Sequence, residues 1–213
     1  DDSQAAPFTL LRFALAALIA SPYTPALSSS REKKVSNASH PLRLSSAWRW
    51  GIEMGFWMFL GFSFQAIGLE STTAQRSGFL LYLNVKFVPF FARVFLGRPI
   101  AVPTWISACI ALCGTALLAS DGQSIGINEG DAWTVAAAAS SAMFILRLEK
   151  ASTEVPQSAE LNAACLWTVT ILAALWTFLQ GGLSTENIGS TIQQLYDIAL
   201  LHPVELIYLG VVT

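Results

Sequence analysis

Six apolar stretches of this chain are long enough to cross the roughly 30 Å hydrocarbon core of a bilayer as helices, and polar connectors separate them. They run from Phe8 to Ala26, Trp50 to Leu69, Gly78 to Gly97, Pro103 to Ala119, Ala132 to Leu148 and Leu161 to Leu179. The pattern predicts a polar connector from Gly181 to Leu201, marked by Gly181, Gly182, Asn187 and Gly189, and a seventh apolar segment from about Pro203. As a helix, Val204 to Thr213 covers only about 15 Å, so this last segment does not span as written. Asp1 to Pro7 offers neither an initiator methionine nor a basic leader, and the chain reads as part of a longer protein lacking its first and last helices.

Composition agrees with the pattern. Of 213 residues, 54% are hydrophobic and 12% charged, with a mean hydropathy of +0.53, which describes an all-α, polytopic transmembrane bundle. A formal net charge of -2 leaves no basic face for a phosphate backbone, so nucleic acid is excluded as a partner. The lipid bilayer is the first partner expected; a homodimer is left open. The expected location is the plasma membrane or the membrane of a plastid or other organelle.

Loop charges set the orientation. Arg31, Lys33, Lys34, Arg43 and Arg49 follow the first segment, Arg93 and Arg98 close the third, and Arg147 and Lys150 close the fifth. The opposite side carries Arg76 against Glu70, Asp121, Glu129, Asp131, Glu186, Asp197 and Glu205. The positive-inside rule therefore places Arg31 to Arg49 in the cytoplasm or its topological equivalent. A tag inserted near Lys34 is expected to be reachable from the cytoplasmic face only; labelling from the opposite face would overturn the assignment.

Inside the segments, polar residues are few enough to weigh singly. Lys86 lies about 12 Å from either end of its segment, too deep for its stem to reach water easily. Either it pairs with a carboxylate or a backbone carbonyl, or it lines a water-filled path and attracts an anionic or zwitterionic group. By helical spacing it shares a stripe with Tyr82, Pro89 and Arg93, while Asn84 points elsewhere. Arg93 reads as snorkelling to headgroups. Pro89 frees the carbonyl of Val85, as a site feature or as a simple packing kink. Gln65 serves either as cavity lining or as an interhelical bond, and Arg12 either snorkels or meets substrate. Glu70, at a polar turn with Gln75 and Arg76, reads as loop-exposed rather than proton-coupling. Small residues at Gly51, Gly55, Gly61 and Gly68, and the pairs Ala136 with Ser140 and Ala137 with Ser141, fit close helix packing.

Chemistry beyond this is sparse. Cys109, Cys113 and Cys165 read as small buried apolar residues rather than a disulfide or metal site, since no His or carboxylate accompanies them. His40 and His202 stand isolated. With no nucleophile elbow, zinc-binding HExxH or phosphate loop, the sequence points to no catalytic residue, no metal and no cofactor, and away from an enzyme.

The runs FTLLRFALAALIASP, GFWMFLGFSFQAIGLESTTAQRSGFLLYLNVKFVPFFARVFLGRPI and PTWISACIALCGTALLASDG resemble helices two to five of an EamA-type repeat of the drug/metabolite transporter superfamily. GDAWTVAAAASSAMFILRLEKAS is similar to the opening helix of a second repeat, and IYLGVVT to the start of its third. The features in common are Arg12 early in the second helix, the Ala/Thr turn before a fourth helix bearing Asn84 and Pro89, the Gly97 to Ile100 connector, and the ending Gly114, Leu117, Leu118. The resemblance implies a ten-helix fold of two inverted five-helix repeats, here residues 1–122 and 123–213, both incomplete. It also implies alternating-access transport of a small organic metabolite, with Lys86, Gln65, Tyr82, Asn84 and Arg12 as substrate-path candidates. A non-transporting membrane scaffold or regulatory protein of the same fold is the alternative. Many relatives carry a glutamate where Arg98 follows Gly97, so no role of that glutamate transfers.

Overall fold

In the computed structural model the described residues are 5–25, 45–97, 102–119, 128–181 and 185–212, and among them the fold is helical. The helices are α1 (Ala5–Ile19), α2 (Ser46–Ser71), α3 (Ala74–Leu81), α4 (Asn84–Leu96), α5 (Val102–Ala119), α6 (Glu129–Glu154), α7 (Ser158–Gly181), α8 (Thr185–Leu201) and α9 (Pro203–Val212). Arg31, Lys33, Lys34, His40, Arg43, Arg98 and Asp121 lie outside the described residues.

Three stretches are both long and apolar enough to cross a membrane among those residues: Ser46–Ser71, Ala74–Phe95 and Ser158–Gln180. The helix Ala5–Ile19 is apolar but shorter. The first segment does not continue to Ala26 as one helix: Ser21–Tyr23 forms a 3-10 turn with Pro22 near its start, where a proline cannot supply the N–H that a continuing α-helix needs.

Two further expectations are corrected. The connector from Gly181 to Leu201 is largely helical, because Ile188, Thr191, Leu195 and Ile198 recur at helical spacing and turn inward, with Thr191 and Ile198 buried. The segment from Gly78 to Gly97 is two helices, interrupted at Tyr82 and Leu83. There the ladder tightens: Leu83 N donates to Leu80 O (3.0 Å) and Lys86 N to Leu83 O (2.9 Å), bonds across three residues instead of four. Tyr82 closes α3, and Lys86, Pro89 and Arg93 lie on α4. At its other end α4 stops on Gly97, whose φ of 66° falls in the left-handed region that only glycine enters cheaply.

The chain forms two compact units, residues 1–59 with 150–213, and residues 60–149. In the first, α1 packs on α7 and also meets α8 and α9. Phe13, Ala17, Val169 and Ala173 fill its core and are completely buried. Glycines set the spacing: a Cβ on Gly55 would stand 2.6 Å from Thr168 Cβ, one on Gly51 would collide with Ala164, and one on Gly210 would meet the Leu15 side chain at 2.8 Å. Tryptophans cluster toward the end expected to face the cytoplasm: Trp48 Nε1 donates to Pro25 O (2.9 Å), Trp50 Nε1 to Glu154 Oε2 (2.8 Å) and Trp167 Nε1 to Thr24 Oγ1 (3.1 Å). Amphipathic rings of this kind anchor helices at a membrane interface.

In the second unit the remainder of α2 lies against α6 through the same device. A Cβ on Gly61 would reach Ser141 Oγ at 3.1 Å, and one on Gly68 would reach Thr134 Oγ1 at 2.8 Å. α3 packs on α5, and Phe90 of α4 meets Trp105 of α5 edge to face at 4.4 Å.

Hydroxyls within the helices are mostly spent on their own backbone. Thr9, Thr134, Ser140, Thr168, Thr170 and Thr177 each donate to the carbonyl four residues earlier, at 2.7 to 3.0 Å. The cysteines are free thiols; Cys165 is buried, but Cys109 and Cys113 are exposed on α5, contrary to the buried role expected of all three. The reason is which face of α5 they occupy: apolar residues there need no protein cover in a bilayer, where Trp105, Ile106 and Ile110 are exposed beside them.

Candidate substrate path

Chemistry-bearing side chains of the second unit stand on the interrupted helix and on α2. Leu83, the residue before α4, is apolar and offers no side-chain cap. Asn84, Val85 and Lys86 form the first turn of α4, and Lys86 is half-buried there. Among the described residues no carboxylate lies within ion-pair distance of its ammonium, and the ion pairs present are formed elsewhere. Three residues on, Pro89 leaves the carbonyl of Val85 without its usual donor. Asn84 Oδ1 is buried with no hydrogen-bond partner among the described residues, and so is Ser63 Oγ on α2. Buried polar atoms are nearly always bonded, so these two are places where a polar group of another molecule would be accepted.

The other candidates are placed as follows. Gln65, on α2, is half-buried, and no hydrogen bond joins it to Lys86, Asn84 or Tyr82 among the described residues. Tyr82 is exposed, at 70%. Arg93 is exposed near the end of α4, consistent with snorkelling. Arg12 belongs to the first unit, where its guanidinium carbon sits 4.5 Å from the Phe13 ring centroid.

A polar knot that spacing had left as scattered loop charge lies at the α2–α3 turn. Asp131 is buried, and its carboxylate accepts from Arg76 Nη2 (2.6 Å), Thr72 Oγ1 (3.1 Å) and the backbone N–H of Asn128 (2.9 Å). Asn128 starts α6 and in turn donates from Nδ2 to Ser71 O. This is a capping arrangement: the acid three residues past the cap reaches back to the cap's own N–H and takes the favourable pole of the helix dipole. Thr73 caps α3 by accepting from Arg76 N at 3.3 Å, and Ser77 Oγ meets Thr134 Oγ1 at 3.4 Å. The signal available in sequence was the Asn-Xaa-Xaa-Asp spacing before an apolar run. Glu70, by contrast, is exposed as expected.

Sequence reasoning also passed over Glu53, half-buried in the first unit and seven residues, about 10 Å, into α2. A carboxylate in an otherwise apolar run is a functional candidate on the same grounds as Lys86. His202 is not isolated either: its Nδ1 lies 3.8 Å from Glu205 Oε1 one turn on. Among the described residues no group of three or more His, Cys, Asp or Glu is placed to hold a metal ion.

No curated protein matches the chain. The EamA-like transporter family matches residues 3–120, more than half of its length. Apolar helices of spanning length, a third segment broken into α3 and α4, and this family match lead to one statement: the chain is an integral membrane protein that belongs to the EamA-like transporter family.

Proposed function

We propose that the protein is a secondary permease for a small organic solute with an anionic or zwitterionic group, which Lys86 attracts. The observation that carries this reading is a half-buried ammonium in a membrane span with no carboxylate within ion-pair distance among the described residues. Desolvating an unpaired cation is costly, and a solute carboxylate or phosphate would relieve that cost while bound. The interruption before α4 supports it, since discontinuous helices bring backbone polar groups into transporter cavities where a solute can use them. Asn84 and Gln65 would then orient the polar remainder of the solute, and Tyr82 is a further candidate position in the same unit. In the ten-helix arrangement of inverted repeats, residues 1–122 and 123–213 would belong to opposite repeats, whose rocking exposes the cavity to either side.

The test is uptake in proteoliposomes made with the full-length protein. Lys86→Met is expected to cut the initial rate at least about tenfold, the equivalent of about 1.4 kcal/mol of lost interaction, while Lys86→Arg keeps part of it. Normal rates for Lys86→Met at normal folded yield would remove Lys86 from the path. A cysteine variant, Lys86→Cys, in a background with Cys109 and Cys113 replaced, is expected to react with a membrane-impermeant thiol reagent. Inertness would favour a sealed, non-transporting scaffold.

A further inference from the structure

The helix α8 shows three faces. Around its axis Ile188, Thr191, Leu195 and Ile198 turn inward, with Thr191 and Ile198 buried, and the helix meets α1, α7 and α9. A second face carries Ile192, Tyr196 and Leu200 at four-residue intervals, exposed at 55%, 59% and 62%. A third carries the exposed polar residues Gln193 and Asp197, whose side chains bond each other at 3.1 Å. Two faces suffice for a helix between protein and water. A third, apolar and uncovered among the described residues, calls for another apolar medium.

We infer that α8 lies in the plane of the membrane interface, with Ile192, Tyr196 and Leu200 seated at the boundary of headgroups and acyl chains. The surrounding chain supplies the reason for choosing lipid. α8 follows α7, a spanning helix whose Ile171, Leu175 and Leu179 form an exposed band at the same four-residue interval. It leads directly into α9, whose Val204, Ile207 and Tyr208 are also exposed. α8 thus stands in sequence between two helices that each carry exposed apolar side chains. A tyrosine in the middle of the stripe suits the boundary, its ring in the apolar layer and its hydroxyl toward water. Crossing the bilayer is excluded by Glu186, Asn187, Gln193, Gln194 and Asp197 within 17 residues.

Charge narrows the lipid. From Thr185 to Leu201 there is no lysine or arginine, so nothing on α8 favours anionic headgroups, and apolar area drives its seating. A zwitterionic phosphatidylcholine surface is sufficient. The inference rests on the chain being a membrane protein and is independent of what Lys86 binds.

The test is site-directed spin labelling of the full-length protein in phosphatidylcholine vesicles, with the three native cysteines replaced. Single cysteines at Ile192, Gln193, Tyr196 and Asp197 are compared for collision with oxygen, which concentrates in lipid, and with a water-soluble nickel complex. The ratio of oxygen to nickel accessibility is expected to be several-fold higher at 192 and 196 than at 193 and 197, and unchanged when salt is raised or anionic lipid is added. High nickel accessibility at all four positions would place the helix in water and overturn the inference. So would dipolar broadening at 192 and 196 that disappears on dilution with unlabelled protein, because a second copy would then cover the stripe. Uptake by the same labelled variants reports separately on the transport reading.

Discussion

Exchange of Asp131 for alanine is expected to be among the most damaging single substitutions in the chain. The carboxylate is 6% exposed and holds three donors, from Arg76, Thr72 and Asn128. Truncation leaves a guanidinium that is 29% exposed facing the space the carboxylate filled, and strips α6 of the group completing its N-terminal cap. Breaking a buried pair in this way costs about 3 kcal/mol or more, chiefly because the remaining charge loses a compensating partner. For a chain of this size that corresponds to a fall of about 6–12 °C in the thermal midpoint of the detergent-solubilised protein. Asp131→Asn retains an acceptor and is expected to lose less. Arg76→Met leaves the Asp131 carboxylate, 6% exposed, with its Thr72 and Asn128 donors but without this cation, and is expected to be about as damaging as Asp131→Ala. A midpoint for Asp131→Ala within about 1 °C of wild type, well under the shift of about 2 °C that 1 kcal/mol gives at this size, would show that the knot contributes little to the fold.

The second large effect is steric. Gly55→Val would place carbon where Thr168 Cβ stands 2.6 Å away and the Cys165 carbonyl 2.9 Å away, neither of which is the far end of a flexible chain. The helices must separate or one must shift along the other. Over-packing costs about 1–3 kcal/mol in cores that can adjust, and here the backbone carbonyl limits adjustment. Folded yield after solubilisation should drop sharply, read as the loss of a monodisperse peak in size-exclusion chromatography. Gly78→Ala is the contrasting case: a Cβ on Gly78 meets nothing within 4 Å, and inside a helix alanine gains about 0.5–1 kcal/mol over glycine. A stable, monodisperse Gly55→Val protein would mean that α2 and α7 do not rely on close approach at this site.

Much of the fold was legible because lipid imposes long apolar runs, and runs such as Trp50 to Leu69 and Leu161 to Leu179 need no tertiary information to be found. α2 and α7 extend a few residues past these bounds into the polar flanks. α8 was missed for a related reason: half of its residues face water or an interface, so its inward positions at 188, 191, 195 and 198 are diluted by Gly189, Gln193 and Asp197. The interruption at Tyr82 and Leu83 was harder still. Neither glycine nor proline stands there, and the one local breaker, Pro89, points to the carbonyl of Val85, downstream of the actual break. The position of Lys86 at the first turn of a helix rather than mid-helix has no counterpart in the apolar pattern. The Arg76–Asp131 pair joins residues 55 positions apart, and such a contact leaves no periodic trace; only the capping spacing at Asn128 hinted that Asp131 had a task.

The back-bonded hydroxyls of α6 and α7 bear on how selectivity would be written in this protein. A threonine whose proton is committed to its own helix presents mainly its methyl group outward, and toward a passing solute it resembles valine more than a donor. The letters of the sequence therefore overstate the polar vocabulary of the bundle interior. With Thr134 and Ser140 set aside, Ser63, Gln65, Asn84 and Lys86 are among the described side chains of the second unit that still have hydrogen-bonding capacity to offer. Under the proposed permease function, relatives that keep the same helix lengths and glycine contacts would be able to change solute by altering side chains of this uncommitted kind.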